Sequence, residues 1–446
     1  MTLGGVTVCV PVWNAEAFLA ETLDRIAGQS HADIRVLLSL DPGADGSEAI
    51  CRRHLADPRF RLVVQPERLG WVGNVNFLIA AVETEFFCIT PHDDLLDRHY
   101  VRELLALLAG DPAASTAYSD MATFGDDHFH VVQPEVRGGR LRRLLDVLLN
   151  HNDAVAFRGL VRRRSPQDRP FLPTGLVGDF AADTVWLADL AARGELRRLP
   201  GGLYRKRLHG GSAHAAWERW PTERRHAAWI DQAVRLARSA AGWLDDPEER
   251  ALAAMGAAMR LAGLGAAVRP PVLAAPMFRV HEVAAFAARI HPLAVPDDLS
   301  AALDDPRAAP IVAARLLAGA RQHAAAGETE RASGLVARAL ATDPLAGHAA
   351  AERTKLLIDA GRARLLAGDM TAARAAIGDA LAVDPDDYHA NLLQAELHIA
   401  DGETTRALAV LQRLDALWPR TAPVAQRLRL LRSGPAIDAG GPTAPP

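Results

Sequence analysis

The chain has 446 residues, 49% of them hydrophobic, and a formal net charge of -4. That length exceeds one compact core and provides for two or three domains, and the near-neutral charge gives no support to a general nucleic-acid binder. The three cysteines, at 9, 51 and 88, fit neither a zinc spacing nor a disulfide framework, so a reducing compartment is expected.

The opening "MTLGGVTVCVPVWN" lacks a basic n-region, and no uncharged apolar stretch reaches the length of a membrane span. Both predict a cytoplasmic protein that meets membranes only peripherally. "VTVCVPV" (6–12) reads as a buried strand, and 15–29 has helical spacing with Asn14 as its N-cap. "IRVLLSL" (34–40) is the next strand, "GSEAICRRHLAD" a helix, "FRLVVQP" (60–66) a strand and "GNVNFLIAAVETE" a helix. "FFCIT" (86–90) and a helix over 97–110 follow. Strands alternating with helices, and apolar throughout, predict parallel βαβ units with both sheet faces covered. Ligands gather at the carboxyl ends of such strands. Trp13–Asn14, Asp41 and His92–Asp94 should therefore converge on one crevice.

Strands are expected at 154–163 and 195–209, and a helix over 183–194 with Gly194 as its C-cap. From about 216 the chain is helical and rich in Ala. Gly327, Gly368 and Gly402 each precede a Pro by 17 residues, at Pro344, Pro385 and Pro419. The last two Pro residues are 34 apart, the period of a tetratricopeptide helix pair, and roughly 310–430 resembles such repeats. The expected division is 1–220, a helical connection over 221–305, repeats over 306–432 and a Pro/Gly-rich disordered tail over 433–446.

Pro11, Val12, Trp13, Asn14, Gln29, Ser30 and Asp41, followed by Gly70, Asn76, Glu85–Phe86 and Asp93–Asp94, stand in the order and spacing of the family 2 glycosyltransferases. Residues 1 to about 215 resemble that family. Leu40, His92 and Ala182 depart from its pattern. The resemblance implies a GT-A domain, an α/β, Rossmann-like nucleotide-diphospho-sugar transferase fold, followed by the all-α helical link and repeats. It also implies an inverting, metal-dependent transfer from a nucleotide-sugar, a UDP-sugar first, to an acceptor hydroxyl in bacterial polysaccharide or glycoconjugate synthesis.

The chemistry agrees with the resemblance. A diphosphate leaving group needs its charge neutralised, and Mn²⁺ or Mg²⁺ on one or two carboxylates does this while the phosphates supply further oxygens. Neighbouring residues on an extended segment point opposite ways. Asp94 is accordingly assigned to the metal and Asp93 to the sugar or ribose; as a bare "DD" after a strand, Asp93 would instead cap a helix near 95. His92 is read as a bystander. Asp41 stands where the family holds the base, beside Pro11, Trp13 and Asn14, with Gly70 and Asn76 completing the donor side. The catalytic base is Asp183 in "GDFAADTVWLADLAARG", with Asp179 its rival one turn earlier. His209, in "LYRKRLHGGSAH", is a second metal ligand, and Arg205, Lys206 and Arg207 either meet phosphate or form a solvated edge. The expected partners are the nucleotide-sugar donor, a glycan, lipid-linked or protein acceptor, and a protein or second copy at the repeats. The alternative is a degenerate transferase domain serving as a scaffold for those repeats.

Overall fold

The computed structural model describes residues 4–150, 154–261, 304–419 and 421–432. About half of the expected helical connection, residues 262–303, and all of the expected tail lie outside them. The N-terminal half runs β1 (Val6–Val12), α1 (Leu19–Ala27), β2 (Ile34–Leu40), α2 (Ser47–His54), β3 (Phe60–Val64), α3 (Gly70–Ala81) and β4 (Phe86–Ile89). It continues with β5 (Leu95–Leu96), α4 (Tyr100–Ala109), β6 (Ala114–Gly125), β7 (His130–Val131), α5 (Arg140–Asn150) and β8 (Leu160–Arg162). Next come α6 (Ala182–Arg193), β9 (Glu195–Leu208), α7 (Ala213–Glu218), α8 (Thr222–Ala241) and α9 (Pro247–Leu261).

Among the described residues these strands form one sheet in the order β3-β2-β1-β4-β8-β6-β9-β5, with β7 beside β6. β3, β2, β1 and β4 are parallel, as the alternating pattern predicts. Val6, Val8 and Val10 are fully buried, as are Phe87 and Cys88. Each such aliphatic or aromatic side chain contributes about 1.5–3 kcal/mol, which is why these strands carry no polar alternation. Beyond β4 the sheet turns mixed: β8 runs antiparallel to both β4 and β6.

Three local expectations need correction. Asn14 does not cap α1, which begins five residues later; Asn14 sits at φ +45° and its Oδ1 accepts from the Ala44 N–H, pinning the β2–α2 loop. No helix starts near 95; β5 occupies that place. Residues 154–163 form a 3-10 turn, Val155–Arg158, and only a short strand. Gly194 is the C-cap of α6, as expected, in extended backbone; it is glycine because a Cβ there would meet Ala113 O and Ser115 N at 2.5 and 2.7 Å. The sequence pattern also misses β6. "ASTAYSDMATFG" mixes small and polar residues, yet every residue from Ala114 to Met121 is buried.

The C-terminal array comprises α10 (Ala309–Ala325), α11 (Thr329–Thr342), α12 (Gly347–Leu366), α13 (Met370–Val383), α14 (Tyr388–Ala400), α15 (Thr404–Leu417) and α16 (Ala422–Arg432). Gly327, Gly368 and Gly402 occupy the turns within pairs at φ +79°, +79° and +75°, a conformation only glycine holds without strain. The glycine spacing in the sequence is this turn repeated.

Candidate active site

The loop after β4 holds the two neighbouring carboxylates in different environments. The Asp94 N–H closes a turn onto Pro91 O at 3.3 Å. Its side chain is 2% exposed and accepts three hydrogen bonds: from Tyr204 Oη at 2.7 Å, from the Arg207 N–H at 2.9 Å and from Arg158 Nε at 3.2 Å. Burial, then the charge of Asp93, pushes the Asp94 carboxyl up, while Arg158 and Tyr204 pull it down. Burial likewise opposes the Arg158 charge, but Asp94 outweighs it and holds the guanidinium above its ordinary range. The pair is a buried salt bridge that ties β4 to the turn before β8 and to β9.

Asp93 faces the other way. Its Oδ2 lies 2.8 Å from His209 Nε2, and both side chains are partly open, at 15% and 22% exposure. Its carbonyl accepts from Arg207 Nε at 3.1 Å. The Phe18 ring lies 4.8 Å from the His209 ring, and the Arg207 guanidinium packs over Phe18 and Phe124 at 4.5 and 4.4 Å. Arg207 is further held by Glu21, so it is not a solvated edge. A carboxylate and an imidazole side by side suit a divalent transition ion that takes its remaining ligands from a substrate. Among the described residues no group of three or more His, Cys, Asp or Glu forms a fuller cage. The structure therefore brings His209 to Asp93 rather than to Asp94.

The donor-side residues gather at the ends of β1 and β2. Asp41 is 1% exposed and accepts from the Leu69 and Gly70 N–H groups at 3.2 and 3.0 Å, at the start of α3. Gly70 at φ +72° makes that approach. Trp13 is 37% exposed, with the Arg68 guanidinium 3.5 Å above its ring, a flat cationic and aromatic face beside Asp41. His92 Nδ1 lies 3.2 Å from Pro11 O, and His92 O accepts from Thr22, so this histidine is part of the scaffold. Gln29 bridges Asp97 O and the Val101 N–H, and Ser30 meets His99. Asn76 uses both ends of its amide on the backbone of Leu172. It is the tether of the 166–181 segment.

That segment carries Asp179 and leads into α6, whose first turn carries Asp183. Asp179 and Ala181 sit at φ +53° and +47°, and Ala154 at +45°. Non-glycine residues at such angles hold strain that surrounding structure must enforce. Asp179 Oδ1 accepts from the Gly175 N–H at 2.7 Å, and Asp183 Oδ1 from the Thr184 N–H at 2.8 Å in the first turn of α6. The charge of Asp183 also acts on Arg158. An aromatic cluster borders this segment. Trp71 meets Trp217 at 6.5 Å, Trp217 meets Phe180 at 5.0 Å, and Trp71 meets Phe157 at 6.4 Å.

Residues 7–168 match the sequence model of glycosyl transferase family 2, and 364–429 match a tetratricopeptide repeat. The N-terminal region is a family 2 glycosyltransferase domain. The transferase domain is 26% identical over 130 residues to glycosyltransferase GlyA of Streptococcus pneumoniae, covering 28% of this chain and 19% of that one. It is 27% identical over 100 residues to GlyG of the same organism, covering 22% and 33%. An uncharacterized glycosyltransferase of Haemophilus influenzae is 18% identical over 232 residues, covering 48% and 68%. The chain thus spans a third or less of the length of the first two relatives. Among solved structures, Staphylococcus aureus TarS 1–349 in complex with UDP-GlcNAc aligns at TM-score 0.48 and 13% identity, over 74% of this chain and 89% of that one. Mannosyltransferase PcManGT from Pyrobaculum calidifontis, in complex with GDP-Man and Mn²⁺, aligns at 0.39 and 21%, over 66% and 81%.

Two residues at the centre of the transferase domain were not singled out from sequence. Arg158 lies in the run "AFRGLVRRR", which reads as a solvent-facing basic stretch, yet its side chain is 11% exposed on Asp94. Tyr204 lies in a strand whose charged neighbours draw the attention, and it is 1% exposed. An aromatic or Arg flanked by apolar residues inside a basic run is the signal that could have marked both.

Proposed function

We propose that the chain is an inverting glycosyltransferase that moves a sugar from a nucleoside-diphosphate donor, a UDP-sugar foremost, to an acceptor hydroxyl. The observation that carries this reading is the open Asp93–His209 pair at the ends of β4 and β9, backed by the buried Asp94–Arg158–Tyr204 cluster. Asp93 and His209 would hold Mn²⁺ or Mg²⁺, whose charge neutralises the departing diphosphate, and the imidazole favours Mn²⁺. Asp94 takes the supporting role: it fixes β9 against β4 so that Asp93 and His209 stay together. The base of the nucleotide lies against Trp13, Arg68 and the Asp41 turn.

Asp183 takes the proton from the acceptor hydroxyl. The acceptor oxygen bonds to the anomeric carbon as the bond from that carbon to the diphosphate oxygen breaks. The electron pair leaves with the nucleoside diphosphate, and one displacement inverts the carbon. The partly buried Trp71 and Trp217 rings offer flat apolar faces suited to the ring of a glycan acceptor, in keeping with bacterial polysaccharide or glycoconjugate synthesis. A thermal-shift screen of UDP-, GDP- and dTDP-sugars with Mn²⁺, paired with an assay for released nucleotide, tests this. At least one donor should raise Tm only with the metal, and Asp93→Asn should abolish the rise. No shift and no nucleotide release with any donor would overturn the reading.

A further inference from the structure

The Pro-ended turns that mark the repeat in the sequence all land on the transferase domain. Asp343, in the first, accepts from Arg142 Nη2 of α5 at 3.0 Å. Asp384, in the second, accepts from Arg198 Nη1 of β9 at 3.2 Å. Trp418, in the third, is 1% exposed and lies on Gly202, where a Cβ would meet its ring at 2.5 Å. His130 of β7 completes the contact, 4.5 Å from the Trp418 ring and 4.1 Å from that of Tyr388.

Two of these three turns act on one irregularity. The pairing of β6 with β9 passes from Ser119↔Leu199 directly to Met121↔Tyr204, so residues 200–203 leave the ladder opposite Asp120. The buried Asp120 carboxylate fills the gap, accepting from Arg198 Nε and Nη2 at 2.7 and 2.8 Å and from the Gly201 N–H at 3.0 Å. Gly201 stands at φ +109°, and a Cβ there would lie 2.5 Å from Leu417 O of the last repeat. The ladder resumes at Tyr204, which donates to Asp94; Arg207 and His209 follow on the same strand. Where the excursion sits thus sets where these residues sit.

We propose that the helical repeats are a positioning element of the transferase site: the Asp384 and Trp418 turns hold the β9 excursion and, through it, Tyr204, Arg207 and His209. The consequence for donor binding rests on the function proposed above; the mechanical link does not. Two measurements on the full chain separate them. In Trp418→Ala and Asp384→Asn, hydrogen exchange of the β9 amides from Tyr204 to Leu208 should speed by about tenfold while β1 amides stay unchanged. Arg331→Ala, on the exposed face of α11, should move neither. The same two variants should bind UDP with Mn²⁺ about tenfold more weakly yet bind uridine as the unsubstituted protein does, since Trp13 and Asp41 directly follow β1 and β2, which do not pair with β9. Trp418→Phe should restore both readouts. Unchanged β9 exchange, or an equal weakening of uridine and UDP, would overturn the proposal. If the unsubstituted protein binds no nucleotide, the transferase reading falls and the exchange result alone decides the link.

Discussion

At the scale of single residues, Asp93 and Asp94 share a peptide bond but send their carboxylates into different surroundings. The turn from Pro91 to Asp94 gives one of them to the interior. Which one depends on Arg158 and Tyr204, 64 and 110 residues further along, so no local pattern encodes it. The two substitutions should therefore part company. Asp94→Ala leaves the Arg158 charge buried without its partner and should cost about 3–5 kcal/mol in denaturant unfolding. Asp93→Asn should change stability by less than about 1 kcal/mol, as partly open sites do, and should instead remove Mn²⁺-dependent nucleotide binding. For the base, Asp183→Asn should lower kcat by about 10²–10⁴-fold with donor affinity intact. Asp179→Asn should have a smaller effect on kcat, because its carboxylate already holds the Gly175 turn; the reverse ranking in single-turnover assays would exchange the two roles.

At the scale of elements, β9 carries the most consequence and shows the least of it in sequence. "ELRRLPGGLYRKRLH" contains Pro-Gly-Gly, which ordinarily signals a turn. Here the glycines let the strand leave its ladder and come back, and let a repeat approach closely. Gly202→Ala should cost about 1–3 kcal/mol through overpacking against Trp418, read as a lower denaturation midpoint. The neighbouring His130 gives the same contact a pH dependence. Burial, then the nearby His389, lowers its pKa to about 4. It is neutral in the fold, so the unfolded chain takes up the proton first as pH falls below about 6.5. Its contribution is complete above that value and is lost progressively toward pH 4. Going from pH 7 to 5, the protein should lose on the order of 1–2 kcal/mol more than His130→Gln does, measured by urea unfolding at each pH.

At the scale of the whole molecule, the repeats and the transferase domain are joined by Arg142–Asp343, Arg198–Asp384 and the seating of Trp418 on Gly202. Domains so docked should unfold together. Calorimetry of the full chain should show one cooperative transition, and the double variant Arg142→Ala/Trp418→Ala should split it in two. Two transitions in the unsubstituted protein would mean that the docking contributes little to stability. Among the described residues no helix is long and apolar enough to cross a membrane.

The sequence alone determined the parallel half of the sheet, from Val6–Val12 through Phe86–Ile89, because short, mostly apolar runs alternating with helical periodicity can be read locally. It determined the repeat, because each within-pair turn needs a glycine at φ near +79°, and that glycine recurs 17 residues before each Pro. It brought Asp41, Asp93, Asp94, Asp183 and His209 forward as a set. Tertiary structure decided the rest. β6 is central through its neighbours rather than through its own apolar content, so it left no periodic trace. Asn76 became a tether and Arg158 a buried counter-charge because of partners distant in the chain. The Asp-Pro and Trp-Pro turns, legible as the punctuation of a repeat, became the contacts of one domain with another. A docking surface is made by two segments that the sequence lists far apart, and only the fold places them side by side.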